Sequence, residues 1–302
     1  MWPRLSPEDL NLIEPFRQPL NSPEAAIRAV FFDIGSVLID LDWDSFFSRQ
    51  QEMNPDLRPF SVDTMMGRVR ENQLMHKWCT GHSGPFNYVQ GMLEAAGHSP
   101  DQAARLASGS ERLSNGSFAP ALVKELSSLI VGPARPRVVR LIQHLRRNGY
   151  TVGALSNATP WHESDIMRTT SLHELFDVVI FSQDVGSEKP EPRIYEAAFH
   201  AALKIEETRR GKTHSRLLPA QLAFVDDTPV NVRAAQQLGW HASLVCLLKD
   251  ELLKEAHALP AQQLASLSTD SCNLLFGDAA AQRVEALFVH LLKASGGSCG
   301  NP

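Results

Sequence analysis

Long apolar runs are missing from this chain. No stretch approaches the roughly 20 consecutive apolar residues that a membrane-spanning helix requires, so no membrane role is expected. Cysteine is scarce: Cys79, Cys246, Cys272 and Cys299 are scattered without metal-ligand spacing, which predicts reduced thiols rather than bridges. An excess of basic residues is absent as well. Twenty-nine Lys and Arg against 34 Asp and Glu leave a net charge of −5, which offers no footprint for nucleic acid and no polybasic membrane patch. The opening stretch MWPRLSPEDLNLIEPFRQPL carries Glu8, Asp9 and Glu14 and no apolar run of signal-peptide length, so a cytoplasmic location is expected. No repeat at solenoid periods is visible. These absences leave a small soluble molecule as the expected partner.

A chain of 302 residues can bury a full core, as one large domain or two smaller ones. Apolar runs that read as buried strands occur at Ala29 to Phe32, Val152 to Leu155, Val178 to Phe181, Leu222 to Val225 and Ser243 to Val245. Helical patterns alternate with them, the signature of an α/β fold with a mainly parallel sheet. Val138, Leu141, Ile142 and Leu145 mark one helical face, closed by Gly149; Val232, Ala235 and Leu238 mark another, closed by Gly239. Between Trp43 and Ala134 the text is rich in Met, Gln, His, Phe and Ser, with helical spacing and no convincing strand. It reads as an inserted helical domain, with Gly132-Pro133-Ala134-Arg135-Pro136 as the return hinge. The basic stretch from Thr208 to Arg216 reads as a solvated surface insertion. A late helix carries Val284, Leu287, Phe288, Leu291 and Leu292 on one face, which must be covered by the core or by a second subunit; the protein is expected to be a monomer or a homodimer. The tail SGGSCGNP is expected to be disordered.

Four short pieces place reactive side chains just past apolar runs, where open α/β sheets keep their ligands: FFDIGSVLID, LSNAT, SEKPEPRIY and FVDD. Asp33 follows the first run, and a carboxylate in line with phosphorus beside a divalent cation can act as a nucleophile. Asp226 and Asp227 end another run; adjacent carboxylates repel unless a cation or protons intervene, which suggests a hard oxygen-ligated ion such as Mg²⁺. Ser156 and Asn157 stand at a strand-to-helix junction, where a hydroxyl, an amide and main-chain N–H groups can hold phosphoryl oxygens. Lys189 precedes Pro190 and Pro192, which fit the first turn of a helix through Tyr195, Ala198 and His200; its ammonium would offset the carboxylate charge.

The ordered set Asp33, Ser156-Asn157, Lys189 and Asp226-Asp227 resembles the haloacid dehalogenase superfamily of hydrolases over roughly residues 27 to 250. FSQDVGSEKPEPRIY and FVDDTPVNVRAAQQLGW are most similar to the branch of α-D-glucose-1-phosphatase-like enzymes, which carries a small helical cap after the first motif. The resemblance implies a doubly wound, Rossmann-like core at 27–42 and 135–260 and a helical cap at 43–134. Residues 1–26 become an N-terminal extension and 261–302 a C-terminal helical extension and tail. It implies Asp33 as nucleophile, Ser156, Asn157 and Lys189 as phosphate binders, and Asp33, the Gly35 carbonyl, Asp226 and Asp227 as the Mg²⁺ set.

Gly35 also marks a departure, because many phosphatases of the superfamily have an aspartate there as general acid and base, and losing such a group typically costs about 10²–10⁴ in rate. The similar glucose-1-phosphatase-like branch also has Gly there. Asp40 is the candidate replacement, with Asp42 beside it in the expected flap; His162 and Trp161 are expected to pack or start a helix. The leading expectation is a Mg²⁺-dependent phosphomonoester hydrolase acting on a small phosphorylated metabolite such as a sugar phosphate. The alternatives are a catalytically inactive phosphometabolite-binding protein of the same fold and a 2-haloacid dehalogenase.

Overall fold

The computed structural model describes residues 6–16, 26–42, 46, 67–69, 71–114, 116–210, 216–247 and 277–294. The first part of the expected cap, the middle of the basic stretch, Cys272, Cys299 and the terminal tail lie outside them. A five-stranded sheet runs in the order β5-β4-β1-β6-β7, from β1 (Ala29–Phe32), β4 (Thr151–Ser156), β5 (Val178–Phe181), β6 (Leu222–Asp226) and β7 (His241–Leu244). All its pairings are parallel, with Phe32 level with Ala154 on one side and Val225 on the other. The chain builds outward from β1 through β4 to β5, then returns to the far side of β1. That reversal opens a crevice at the carboxyl ends of β1 and β6.

Residues of β1, with no solvent exposure, account for its continuous apolar text: a parallel strand covered on both faces needs no alternation. The helix Pro136–Arg147 buries the expected Val138, Leu141, Ile142 and Leu145, and Gly149 follows at φ +85°. Phe31 packs on Trp240 with centroids 5.6 Å apart, and Phe32 stacks on Phe288 at 5.3 Å. The C-terminal helices Gly277–Leu287 and Val289–Ala294 thus cover the sheet's own core, with Val284, Leu287, Phe288 and Leu291 buried in the same cluster. The apolar face that left a second subunit open is occupied within the chain.

Gly153 in β4 has a packing reason. A Cβ there would sit 2.3 Å from Phe31 Cε1, inside any permissible contact. Gly153→Ala is expected to destabilise by about 1–3 kcal/mol as Phe31 is forced off its rotamer, read as a lower urea midpoint at unchanged slope.

A second apolar cluster gathers Trp78, Tyr88, Val89, Leu93, Leu106, Leu122 and Leu126 from the helices Leu74–Cys79, Pro85–Ala95, Pro100–Ala107 and Ala119–Leu129. Trp161, from the helix Pro160–Thr170, packs edge-on against Trp78 at 4.6 Å, so its expected packing role holds. The inserted stretch is not strand-free, however. β3 (Val131–Ala134) pairs antiparallel with β2 (Ile39–Leu41), making a ribbon between the two clusters where a turn was expected. A Cβ on Gly132 would lie 2.6 Å from the Asp40 carbonyl oxygen, so this glycine serves close strand approach rather than reversal. No helix among the described residues is long and apolar enough to cross a membrane.

Candidate active site

The carboxyl ends of β1 and β6 bring the distant motifs together. Asp33, one residue beyond β1, donates its N–H to the Val225 carbonyl at 2.9 Å, which fixes it beside Asp226 at the end of β6. Ligand oxygens of Asp33, Asp226 and Asp227 all lie within 4.8 Å of one another. Lys189 Nζ donates to Asp33 Oδ1 and to Asp226 Oδ2, each at 2.7 Å, in a setting where Lys189 is 4% exposed and Asp226 fully buried. Asp226 is otherwise saturated: Oδ1 accepts from the Thr228 N–H at 2.7 Å, and Asn231 Nδ2 reaches both oxygens at 3.1 and 3.2 Å.

Burial dominates the electrostatics. It pushes the Asp33 carboxyl up to about 8 against the pull of Lys189, with Asp226 and Asp227 pushing the same way. Asp227 is raised to about 6, by burial first and Asp226 second. For Lys189 burial works downward, but Asp226 and Asp33 outweigh it and hold the ammonium charged.

Asn157 is placed differently from the expected phosphate contact. Its Oδ1 accepts from the Lys189 N–H at 2.8 Å and its Nδ2 donates to the Lys189 carbonyl at 2.9 Å, so both ends of the amide clamp the lysine's backbone. Ser156, the last residue of β4, is buried at the cavity wall. Pro192 opens its helix as expected, but Pro190 stands in the turn before it, joined to Lys189 by a cis peptide. The Gly35 carbonyl accepts from the Val37 N–H at 2.7 Å, leaving a second lone pair.

Asp40 does not replace the missing acid. Its Oδ1 accepts from Arg135 Nη2 at 2.6 Å and Nε at 3.2 Å, its carboxylate also takes the Gly277 N–H, and it does not line the cavity. The alternation of β2 explains this, because Ile39 and Leu41 line the cavity and the residue between them faces the other way. Asp42 is exposed and likewise outside the lining. Arg135, 1% exposed, also donates to the Ser36 and Val37 carbonyls and so ties the loop after Asp33 to the end of β3. Ser36 is held there at φ +59°, a backbone state rare for a non-glycine residue.

The cavity measures about 260 Å³ and is lined by Asp33, Gly35, Ser156, Asn157, Lys189 and Asp227, together with apolar residues of the ribbon and insertion. Among its polar contributors not anticipated as site residues are Ser36, Thr228 directly after the acidic pair, Asn231 one helical turn further on, and His162, expected to pack or start a helix. For Asn231 a signal existed, since an amide five residues past Asp226 can return across a Pro-initiated turn.

A parallel sheet that gathers three carboxylates and a lysine at its carboxyl edge has the layout of an enzyme site. A haloacid dehalogenase-like hydrolase domain is matched over residues 27–239, and the chain belongs to that family. A phosphatase of Mycobacterium tuberculosis (strain CDC 1551 / Oshkosh) is 34% identical over 105 residues, 34% of this chain and 42% of the relative. A glyceraldehyde 3-phosphate phosphatase of Methanothermobacter thermautotrophicus is 24% identical over 174 residues, 57% of this chain and 70% of the relative. The match to the first of these spans less than half its length. A HAD family enzyme of Bacteroides thetaiotaomicron superposes with a TM-score of 0.54 at 18% identity, covering 74% of this chain and 96% of its own. A structure of that enzyme with magnesium and inorganic phosphate gives 0.50 at 19%, covering 73% and 95%. At such identities the likeness is one of fold.

Proposed function

We propose that this hydrolase is a Mg²⁺-dependent phosphomonoesterase working through an aspartyl phosphate on Asp33, with a small phosphorylated metabolite as substrate. The carrying observation is a charge imbalance. Three clustered carboxylates face one ammonium, an excess of two negative charges when all are ionised, in a site where burial already pushes Asp33 and Asp227 upward. An all-oxygen donor set with that excess fits a hard divalent cation. Asp33, the Gly35 carbonyl and Asp227 would hold it, while Asp226, already saturated, orients Lys189 and Asn231. When bound, Mg²⁺ supplies positive charge against the phosphoryl oxygens and keeps the carboxylates ionised. The magnesium and phosphate bound by the Bacteroides enzyme of the same fold lend support.

In the chemical step an Asp33 oxygen attacks phosphorus and the bond to the leaving-group oxygen breaks, its electron pair departing with that oxygen. Water then attacks phosphorus, the P–O bond to Asp33 breaks, and the carboxylate and inorganic phosphate are released. Lys189 holds Asp33 Oδ1, which leaves the other oxygen to attack. With glycine at position 35 and Asp40 turned away, leaving groups that need little protonation are favoured.

Phosphate release from p-nitrophenyl phosphate and a sugar-phosphate panel, with Mg²⁺ or with chelator, tests the reading. Turnover should fall by about 10³ or more on chelation. Absence of turnover on every ester, in folded protein that binds Mg²⁺, would sink it. A pH dependence accompanies this. The folded-state pKa of Asp33 is raised from 3.8 to about 8, so without metal its stabilising contribution is full below 3.8 and lost as pH rises through 8. Mg²⁺ binds the ionised form, so the melting-temperature gain on adding Mg²⁺ should grow from pH 5 to pH 8. A gain that shrinks over that window would contradict the metal assignment.

A further inference from the structure

The cavity has two chemically different ends. Its charged lining residues, Asp33, Lys189 and Asp227, are gathered at the sheet edge, and Lys189 is already shared between two carboxylates. Asn157, Thr228 and Asn231 are bonded to Lys189 or Asp226 and belong with that end, while Leu41, Met75, Ile130, Val131 and Ile166 give the cavity an apolar stretch of wall. No described lining residue offers a spare cation for a second anionic group on a substrate. A carboxylate or second phosphate there would be desolvated without a partner.

His162 is the polar exception on that side. It stands four residues before Ile166 on the helix Pro160–Thr170, so the two share a face, and both line the cavity. Its backbone is fixed at the helix start, where the His162 N–H donates to Thr159 Oγ1 at 3.2 Å. Its Nε2 is shielded from solvent and has no hydrogen-bond partner. A buried unpaired nitrogen costs stability, and a neighbourhood of Leu, Ile and Met would hold a leucine better. Burial pushes the imidazole down to about 4, so it is neutral at pH 7, with one donor and one acceptor nitrogen. A half-turn about Cβ–Cγ exchanges the ring's two edges, each of which carries one nitrogen, so a nitrogen can be turned to whatever fills the cavity.

We infer that the cavity takes phosphomonoesters whose leaving group is uncharged and hydroxylated, and that His162 is the specificity residue that pairs with its hydroxyl. This rests on the phosphatase reading above. Among the described lining residues a charged leaving group meets an apolar wall without a counter-ion, and a purely apolar one leaves the imidazole Nε2 unpaired. A neutral polyol or sugar satisfies both conditions.

The test compares kcat/KM for glycerol 3-phosphate, propyl phosphate and 3-phosphoglycerate, with Mg²⁺, in the parent, His162→Leu and His162→Gln. The parent should favour glycerol 3-phosphate over each of the others by about 10-fold or more. His162→Leu should bring the glycerol-to-propyl ratio close to one, chiefly through KM, and His162→Gln should restore part of it. An unchanged ratio in His162→Leu, or 3-phosphoglycerate equal to glycerol 3-phosphate in the parent, overturns the inference. If the parent hydrolyses none of the three, the ester panel above decides the phosphatase reading separately, and calorimetric titration of Asp33→Asn with glycerol 3-phosphate decides this one. Adding His162→Leu should then weaken binding about 10-fold; equal affinity, or no binding in either, overturns it.

Discussion

Asp33→Asn is expected to reduce phosphate release by at least about 10⁴ while leaving the protein folded. The amide keeps the shape and the hydrogen bond to Lys189 but cannot form the acyl phosphate. Stability should not suffer, because the carboxyl sits where burial disfavours its ionised form, and a neutral isostere resembles the protonated state. At pH 8 without Mg²⁺ the variant is expected to melt no lower than the parent, and Mg²⁺ should raise its melting temperature less. Turnover within 10-fold of the parent would remove Asp33 from the reaction. A variant that neither folds nor binds Mg²⁺ would instead show that the carboxylate is structural.

Lys189→Met is expected to lose both activity and stability. The side chain is nearly the same length, so packing is kept and the change is electrostatic. Removing the ammonium leaves Asp33 and Asp226 buried with no cation, and breaking a buried pair by deleting one partner typically costs about 3–5 kcal/mol. The penalty shrinks as pH falls. Protonating Asp33, whose carboxyl burial already pushes up to about 8, removes part of it, so the gap between variant and parent in urea midpoint should narrow as pH falls from 8 toward 5. Asp33→Asn combined with Lys189→Met should cost less stability than Lys189→Met alone, since one unpaired charge has gone with its partner. A double variant less stable than Lys189→Met would show that the lysine is held by packing rather than by these carboxylates.

The sheet was largely legible because β1 and β6 at its centre are buried on both faces and therefore written as unbroken apolar runs, each with an aspartate at its end. The convergence of Asp33, Lys189, Asp226 and Asp227 was legible for the same reason: a side chain one step past a buried parallel strand has only one edge to emerge from. β7 was anticipated two residues late, at Ser243 rather than His241, where the strand's first residue is exposed. The ribbon of β2 and β3 was not readable, since Val-Gly-Pro-Ala has the composition of a turn and only the approach of Asp40 makes it a strand.

Some contacts of the site are set by backbone geometry that residue spacing does not show. Asp40 was considered for its nearness to Asp33 in sequence, but strand alternation turns it to Arg135. Asn157 was read as a phosphate contact; it lines the cavity, and its amide atoms also bond a backbone thirty-two residues away. The grip of Arg135 on the Ser36 and Val37 carbonyls leaves no pattern at all, because main-chain acceptors are the same at every position.

The stacking of Phe288 on Phe32 has a consequence for biogenesis. The strand that leads to Asp33 is translated well before Phe288, whose ring packs on it from later in the chain. Asp33, Lys189 and Asp227 can therefore meet before Phe288 is made, but until it arrives part of the apolar cover of Phe32 is missing and stays open to wrong contacts.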